Sequence, residues 1–198
     1  MIEFSRYQFH PVIQLPAGYE VFDFTAGYDP SRQLTSAFGI GRYDEDRRGM
    51  YNADLFHGTA EARTIHMGID IGAPVGTAVH SFFEGEIFMF AYNEAHGDYG
   101  YTLITKHELN GTLLFALHGH LSRSSGEGKS RGKGFKAGEK IASIGDRHEN
   151  GGWNPHLHFQ LSLQEPSVCD MPGVVSPSQR AEALQVYPDP RLVLGPLY

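Results

Sequence analysis

The chain is nearly devoid of cysteine. Cys169 is the single thiol in 198 residues, so neither an intrachain disulfide nor a thiolate-based zinc site can form. Tryptophan is as scarce, with Trp153 alone. Basic residues never run longer than Arg47-Arg48, and the net charge is -7. Both facts argue against a nucleic-acid partner. The Gly-rich stretch 129–136 reads as a solvated loop, and so does the charged run 42–48. No apolar window approaches the roughly 20 residues of a membrane span, so no membrane partner is expected. The start, Met1-Ile2-Glu3-Phe4-Ser5-Arg6, lacks the basic-then-apolar layout of a secretory leader. Taken as the natural start, it points to the cytoplasm.

What the chain has in quantity is turn residues. The 24 Gly and 11 Pro are spread evenly, which favours many short strands over a helical bundle. With 40% hydrophobic and 20% charged residues, a single domain over 1–198 is expected. Residues 1–60 read as an irregular, aromatic-rich wrap with one short strand near 21–24. Alternating apolar residues predict strands at 64–71, 77–82, 85–90, 101–107, 112–120, 140–145 and 156–163. Asn110-Gly111 between two such runs is a hairpin signal. Residues 61–165 thus form an all-β core of mostly antiparallel sheets. In the tail, 166–198, one short helix is expected at 180–186, followed by an extended, docked end.

Two short runs carry the chemistry. In Ile65-His66-Met67-Gly68-Ile69-Asp70-Ile71 the isoleucines and Met67 alternate inward, leaving His66, Gly68 and Asp70 on the polar face. A straight strand would hold His66 and Asp70 roughly 13 Å apart, so sharing an ion requires a bend, and Gly68 permits one. In His156-Leu157-His158-Phe159 the two imidazoles share one side, roughly 7 Å apart at Cα. Two imidazoles and a carboxylate are the donor set of a catalytic zinc with one position left open. His66, Asp70 and His158 are the candidate ligands for one Zn2+ per chain, and a histidine suits the accompanying proton transfer at neutral pH. His156 is one such histidine. His118 and His120, two apart in another strand, are not separated by spacing. The remaining histidines, His10, His57, His80, His96, His107 and His148, have no comparable partners. No helical His-Glu-x-x-His motif occurs.

These motifs together resemble the lysostaphin-type zinc endopeptidases, which cleave peptide cross-links in peptidoglycan. His66-Met67-Gly68-Ile69-Asp70 is similar to the family's His-x-Gly-x-Asp ligand motif, and His156-Leu157-His158-Phe159 to its His-Leu-His-Phe motif. Gly119-His120-Leu121-Ser122 resembles its Tyr-x-His-Leu-Ser segment, with His118 in place of the usual Tyr. The resemblance implies a barrel-sandwich hybrid fold and a groove across a sheet. It also implies metal binding by His66, Asp70 and His158, catalysis by His120 and His156, and a peptide or peptidoglycan fragment as substrate. The loop 150–155 departs from the family's small-residue pattern. The flanks 41–45 and 188–192 resemble a subgroup fused to class III aminotransferases, for which a cytoplasmic zinc-bearing accessory module in amine or amino-acid metabolism is the alternative function.

Overall fold

The alternation that begins near residue 61 does build strands, and strands extend into both flanks. The computed structural model describes residues 2–29, 35–51, 53–56 and 61–198. In chain order its strands are β1 (Glu20–Val21), β2 (Gly39–Gly41), β3 (Glu45–Asp46), β4 (Ile65–His66), β5 (Ile69–Gly72), β6 (Ala78–His80), β7 (Gly85–Asn93), β8 (Gly100–Leu109), β9 (Thr112–Leu121), β10 (Gly134–Phe135), β11 (Lys140–Ser143), β12 (His156–Ser162) and β13 (Val174–Val175). Two short helices, α1 (Arg180–Val186) and α2 (Arg191–Leu194), follow. No helix among the described residues is long and apolar enough to cross a membrane.

Eight strands form the main sheet in the order β1-β2-β5-β12-β9-β8-β7-β10. Its pairings are antiparallel except β1 with β2. The fold is therefore all-β and mostly antiparallel, as expected, with the main sheet ending on β1 and β10. Asn110 and Gly111, at φ 50° and 74°, close the β8–β9 hairpin between the paired Leu109 and Thr112, the left-handed geometry a two-residue turn demands. A second pair, β6 with β11, contributes Val79, Ile141 and Ala142 to the cluster that buries Ile69, Ile71, Leu157, Phe159 and Leu161. Those are the alternate residues of β5 and β12, so one face of the site strands is core and the other is free for chemistry.

Three expectations are corrected. The N-terminal 60 residues are not a purely irregular wrap: β2 pairs with β5, and β3 pairs with β4. These strands are only two or three residues long, too short for a period to register. Val174–Val175 pairs with β4 to complete a three-stranded sheet, β13-β4-β3. The C-terminal end, expected to be extended beyond the α1 helix, turns helical at Arg191–Leu194, where the Asp189 carboxylate accepts the Arg191 backbone N–H at 2.9 Å.

Two histidines belong to the core and not to any site. His107 donates from Nδ1 to the Glu84 carbonyl (2.9 Å), and its Nε2 accepts from Thr105 (2.9 Å). His118 packs against Phe159 and donates from Nδ1 to the Leu103 carbonyl (3.3 Å). Burial pushes His107 down to about 4 and His118 down to about 3. Both folded values lie below the ordinary 6.5. As pH falls below 6.5 the unfolded chain takes up protons that the fold refuses, so stability present above 6.5 is lost toward pH 3–4. The urea midpoint of the metal-free protein is expected to fall between pH 7 and pH 4.5, with a shallower fall in His118→Phe. Identical slopes in the two proteins would mean that His118 titrates normally in the fold.

Candidate metal centre and proton-transfer site

Between His66 and Asp70 the chain changes sheets. His66 pairs with Glu45 and Val174 in the three-stranded sheet, whereas Asp70 pairs with His158 and Gly41 in the main one. The bend expected at Gly68 is there, but its reason differs from the one anticipated. Gly68 does not adopt a positive φ. It is required because a Cβ at this position would lie 2.5 Å from Cε1 and Nε2 of His158 and 2.9 Å from the Phe159 carbonyl oxygen. The bend brings His66 Nε2 to 3.2 Å from Asp70 Oδ1. His158 Nδ1 stands 3.1 Å from the same oxygen and 3.1 Å from His66 Nε2. The three atoms form a nearly equilateral triangle, close to the spacing of donors that share one tetrahedral ion at about 2.0–2.2 Å.

Hydrogen bonds behind the triangle assign the protons. His66 donates from Nδ1 to the Arg42 carbonyl at 2.8 Å, so its Nε2 carries a lone pair. His158 donates from Nε2 to Gln160 Oε1 at 3.0 Å, so its Nδ1 carries one as well. Gln160 is oriented by its own donation to the Pro172 carbonyl (3.4 Å). Two lone pairs and a carboxylate oxygen thus face one another, an arrangement that repels itself without a cation. Burial is the largest influence on His66 and, reinforced by the Arg47 charge, pushes it down to about 4. Burial alone would raise the Asp70 carboxyl, but the positive charge His66 carries when protonated and the charge of the Arg47 guanidinium hold it well below the usual range. His66 and Asp70 are therefore deprotonated at neutral pH, as metal binding requires. His66, Asp70 and His158 can hold a metal ion.

Two further imidazoles stand beside the triangle. His156 donates from Nδ1 to the Asn154 carbonyl (2.6 Å), and its Nε2 lies 3.7 Å from Asp70 Oδ1. His120 donates from Nδ1 to the Asn150 carbonyl (2.8 Å), and its ring centre is 4.2 Å from that of His156. Both keep Nε2 as the unprotonated nitrogen. Burial, with the neighbouring imidazoles, holds His120 well below its ordinary value, and burial lowers His156.

Spacing two apart in one strand would put His118 and His120 on one face, but the structure separates them. His118 lies opposite Phe159 and Gly119 opposite His158, so regular alternation would send His120 into the core beside His118. His120 instead has φ 62°. Its N–H donates to the Tyr99 carbonyl (2.8 Å) and its carbonyl accepts from Gly145 (2.9 Å). Clamped in this left-handed conformation, it turns its ring to the site.

The 42–48 run, expected to be a solvated loop, is corrected too. Glu45 and Arg47 are buried, and Arg47 Nη1 donates to Asp70 Oδ2 at 2.6 Å. A charged run conceals this, because the only hint is the i, i+2 spacing of opposite charges. Trp153, the single tryptophan, lines the site. The Asn150 side chain accepts from the Gly152 and Trp153 N–H groups (3.1 and 3.0 Å) and donates to the Trp153 carbonyl (3.0 Å), which accounts for the unusual loop composition. A cavity of about 320 Å³ adjoins the histidines, walled by Phe24, Tyr51, Phe56, Tyr99, Trp153 and Asp170. His10, His80, His96, His107 and His148 add no atom to the cluster, and His57 lies outside the described residues.

Residues 64–169 match the model of peptidase family M23, and the chain belongs to that family. It is 31% identical over 135 residues to the DD-carboxypeptidase/endopeptidase Mpg of Neisseria meningitidis serogroup B, covering 61% of this chain and 28% of that protein. The Mpg of Neisseria gonorrhoeae is 30% identical over the same share. The chain thus spans little more than a quarter of the curated relatives it matches. Among solved structures it is similar to the catalytic domain of lysostaphin from Staphylococcus simulans, with 21% identity, TM-score 0.48, and coverage of 73% of this chain and 92% of that one. A zinc-containing peptidase from Vibrio cholerae gives 25% identity and TM-score 0.42, covering 67% and 34%.

Because Gly68 has no room for a side chain, Gly68→Ala is expected to displace the His158 ring and lower stability by about 1–3 kcal/mol, the usual cost of overpacking. Urea unfolding of the metal-free protein measures it, and an unchanged midpoint would show that the ring can yield.

Proposed function

We propose that this chain is a zinc-dependent peptidase, with His66, Asp70 and His158 holding one zinc ion and His120 and His156 moving protons. The observation that carries the reading is the convergence of three donor atoms within 3.1–3.2 Å, flanked by two imidazoles whose Nε2 atoms are free to accept. When bound, the ion supplies Lewis acidity, polarising a scissile carbonyl and making water nucleophilic at neutral pH.

The protein's own groups do the rest. His120 and His156 are neutral at pH 7, so either Nε2 can take the proton of the attacking water and return it to the departing amine. Their Nδ1 protons, fixed on the Asn150 and Asn154 carbonyls, keep both rings in that tautomer. Asp70 Oδ1, 3.7 Å from His156 Nε2, favours the imidazolium that forms there. The substrate in this reading is an amide bond in a short peptide or peptidoglycan fragment. The named activity of the Mpg relatives and the aromatic walls of the cavity support it.

His120→Ala is expected to lower peptide cleavage at least ~100-fold while zinc stays at one per chain. His158→Ala is expected to lose the metal. Turnover of purified peptidoglycan and of Gly- and D-Ala-containing peptides, with metal analysis on the same samples, tests both. Full cleavage by His120→Ala would remove that residue from the mechanism. One zinc per wild-type chain with no cleavage of any substrate would overturn the peptidase reading in favour of a metal-bearing accessory module.

A further inference from the structure

Arg47 heads the fully buried side chains by volume, at 1% exposure. A buried guanidinium is tolerated only when its hydrogens are used, and here each nitrogen is engaged. Nε donates to Glu45 Oε2 (2.8 Å), Nη1 to Asp70 Oδ2 (2.6 Å) and to the Tyr51 hydroxyl (3.1 Å), and Nη2 to the Arg42 carbonyl (3.1 Å). The group also lies over the Phe24 ring at 5.0 Å. Glu45 is anchored in turn, accepting the Phe24 N–H on Oε1 at 3.0 Å. The Arg42 carbonyl that takes Nη2 is the same one that takes His66 Nδ1. Arg47 therefore braces Asp70 directly and His66 through one shared acceptor. Gly41 makes room for this, since a Cβ there would meet Arg47 Nη2 at 2.7 Å and Asp70 Oδ2 at 3.0 Å.

We infer that the Glu45–Arg47 pair is a positioning device for the metal centre: it occupies Oδ2 of Asp70, so that the carboxylate offers Oδ1 alone to the ion. The inference rests on the metal site proposed above. Glu45 balances the arginine's charge, so Asp70 keeps its full negative charge for the metal while losing its freedom to rotate. A lone arginine would fix the carboxylate but weaken its attraction for a cation. Lysine cannot substitute, because an ammonium lacks the planar fork that spans two carboxylates.

The test is zinc affinity, by competition with a chromophoric chelator, alongside thermal melting of the metal-free proteins. In Glu45→Gln/Arg47→Met both charges go and net charge is unchanged. Replacing a buried ion pair by neutral groups of similar size is often harmless to folding. Because the change also removes the donor to Asp70 Oδ2, the double variant is expected to melt below wild type without metal but to fold, and to bind zinc about 10–100-fold more weakly, the usual cost of losing a partner behind a metal ligand. Arg47→Lys keeps the charge without the fork and is expected to weaken zinc binding about tenfold. It decides the matter if the double variant does not fold. Wild-type zinc affinity in folded variants, with or without a lower melting point, would reduce the pair to a structural role and overturn the inference. A wild-type protein that bound no zinc would instead refute the metal site itself.

Discussion

The carboxylate of Asp70 is the point on which the structure turns. One oxygen faces two imidazole lone pairs at 3.1–3.2 Å, and the other takes the Arg47 guanidinium at 2.6 Å. The four groups come from four elements in two different sheets and a turn: β4, β5, β12 and the turn after β3. Bringing them together means desolvating an arginine, a carboxylate and two imidazoles at once. Such a cluster is tolerated only if each polar atom finds a partner. The partners are backbone carbonyls and amide side chains held by the sheets, so the fold can be described as scaffolding around this one residue.

Close approach and backbone conformation do most of the remaining placement. Gly68 lets the chain cross from one sheet to the other directly beneath the His158 ring, and Gly119 leaves space for Tyr99, whose ring a Cβ there would meet at 2.5 Å. His120 shows the opposite device: a residue with a Cβ held at φ 62°. Such a conformation typically costs about 1–3 kcal/mol and persists only where its surroundings over-determine it. Here two backbone hydrogen bonds do so. The return is an imidazole on the site face of a strand whose alternation would have buried it.

Much of this was legible in the chain itself. The inward alternation of Ile65, Met67, Ile69 and Ile71 marked the strand and implied its bend, and Asn110-Gly111 marked the hairpin. His66, Asp70 and His158 came out as the converging set because their residue types and spacing already matched a metal's needs. What stayed hidden was tertiary. Strands of two or three residues, such as Glu45–Asp46 and Val174–Val175, are too short to show a period and exist only because β4 offers both of its edges. The burial of Glu45 and Arg47 is invisible in a run of seven residues of which six are charged, since desolvating them is favourable only once Asp70 is in place. The separation of His118 from His120 depended on one dihedral angle that residue identity does not announce.

The position of β5 has a consequence for recognition. It lies inside the main sheet, with β12 along one edge and β2 along the other. Gly41 and Gly39 are paired to Asp70 and Gly72. The N-terminal segment therefore occupies the backbone groups that an incoming extended peptide would need in order to add itself as a strand beside Asp70. A ligand at this site would therefore be held by side chains, chiefly the rings that wall the cavity. Discrimination would then be a matter of shape and surface chemistry, and not of a main-chain ladder that would accept almost any sequence.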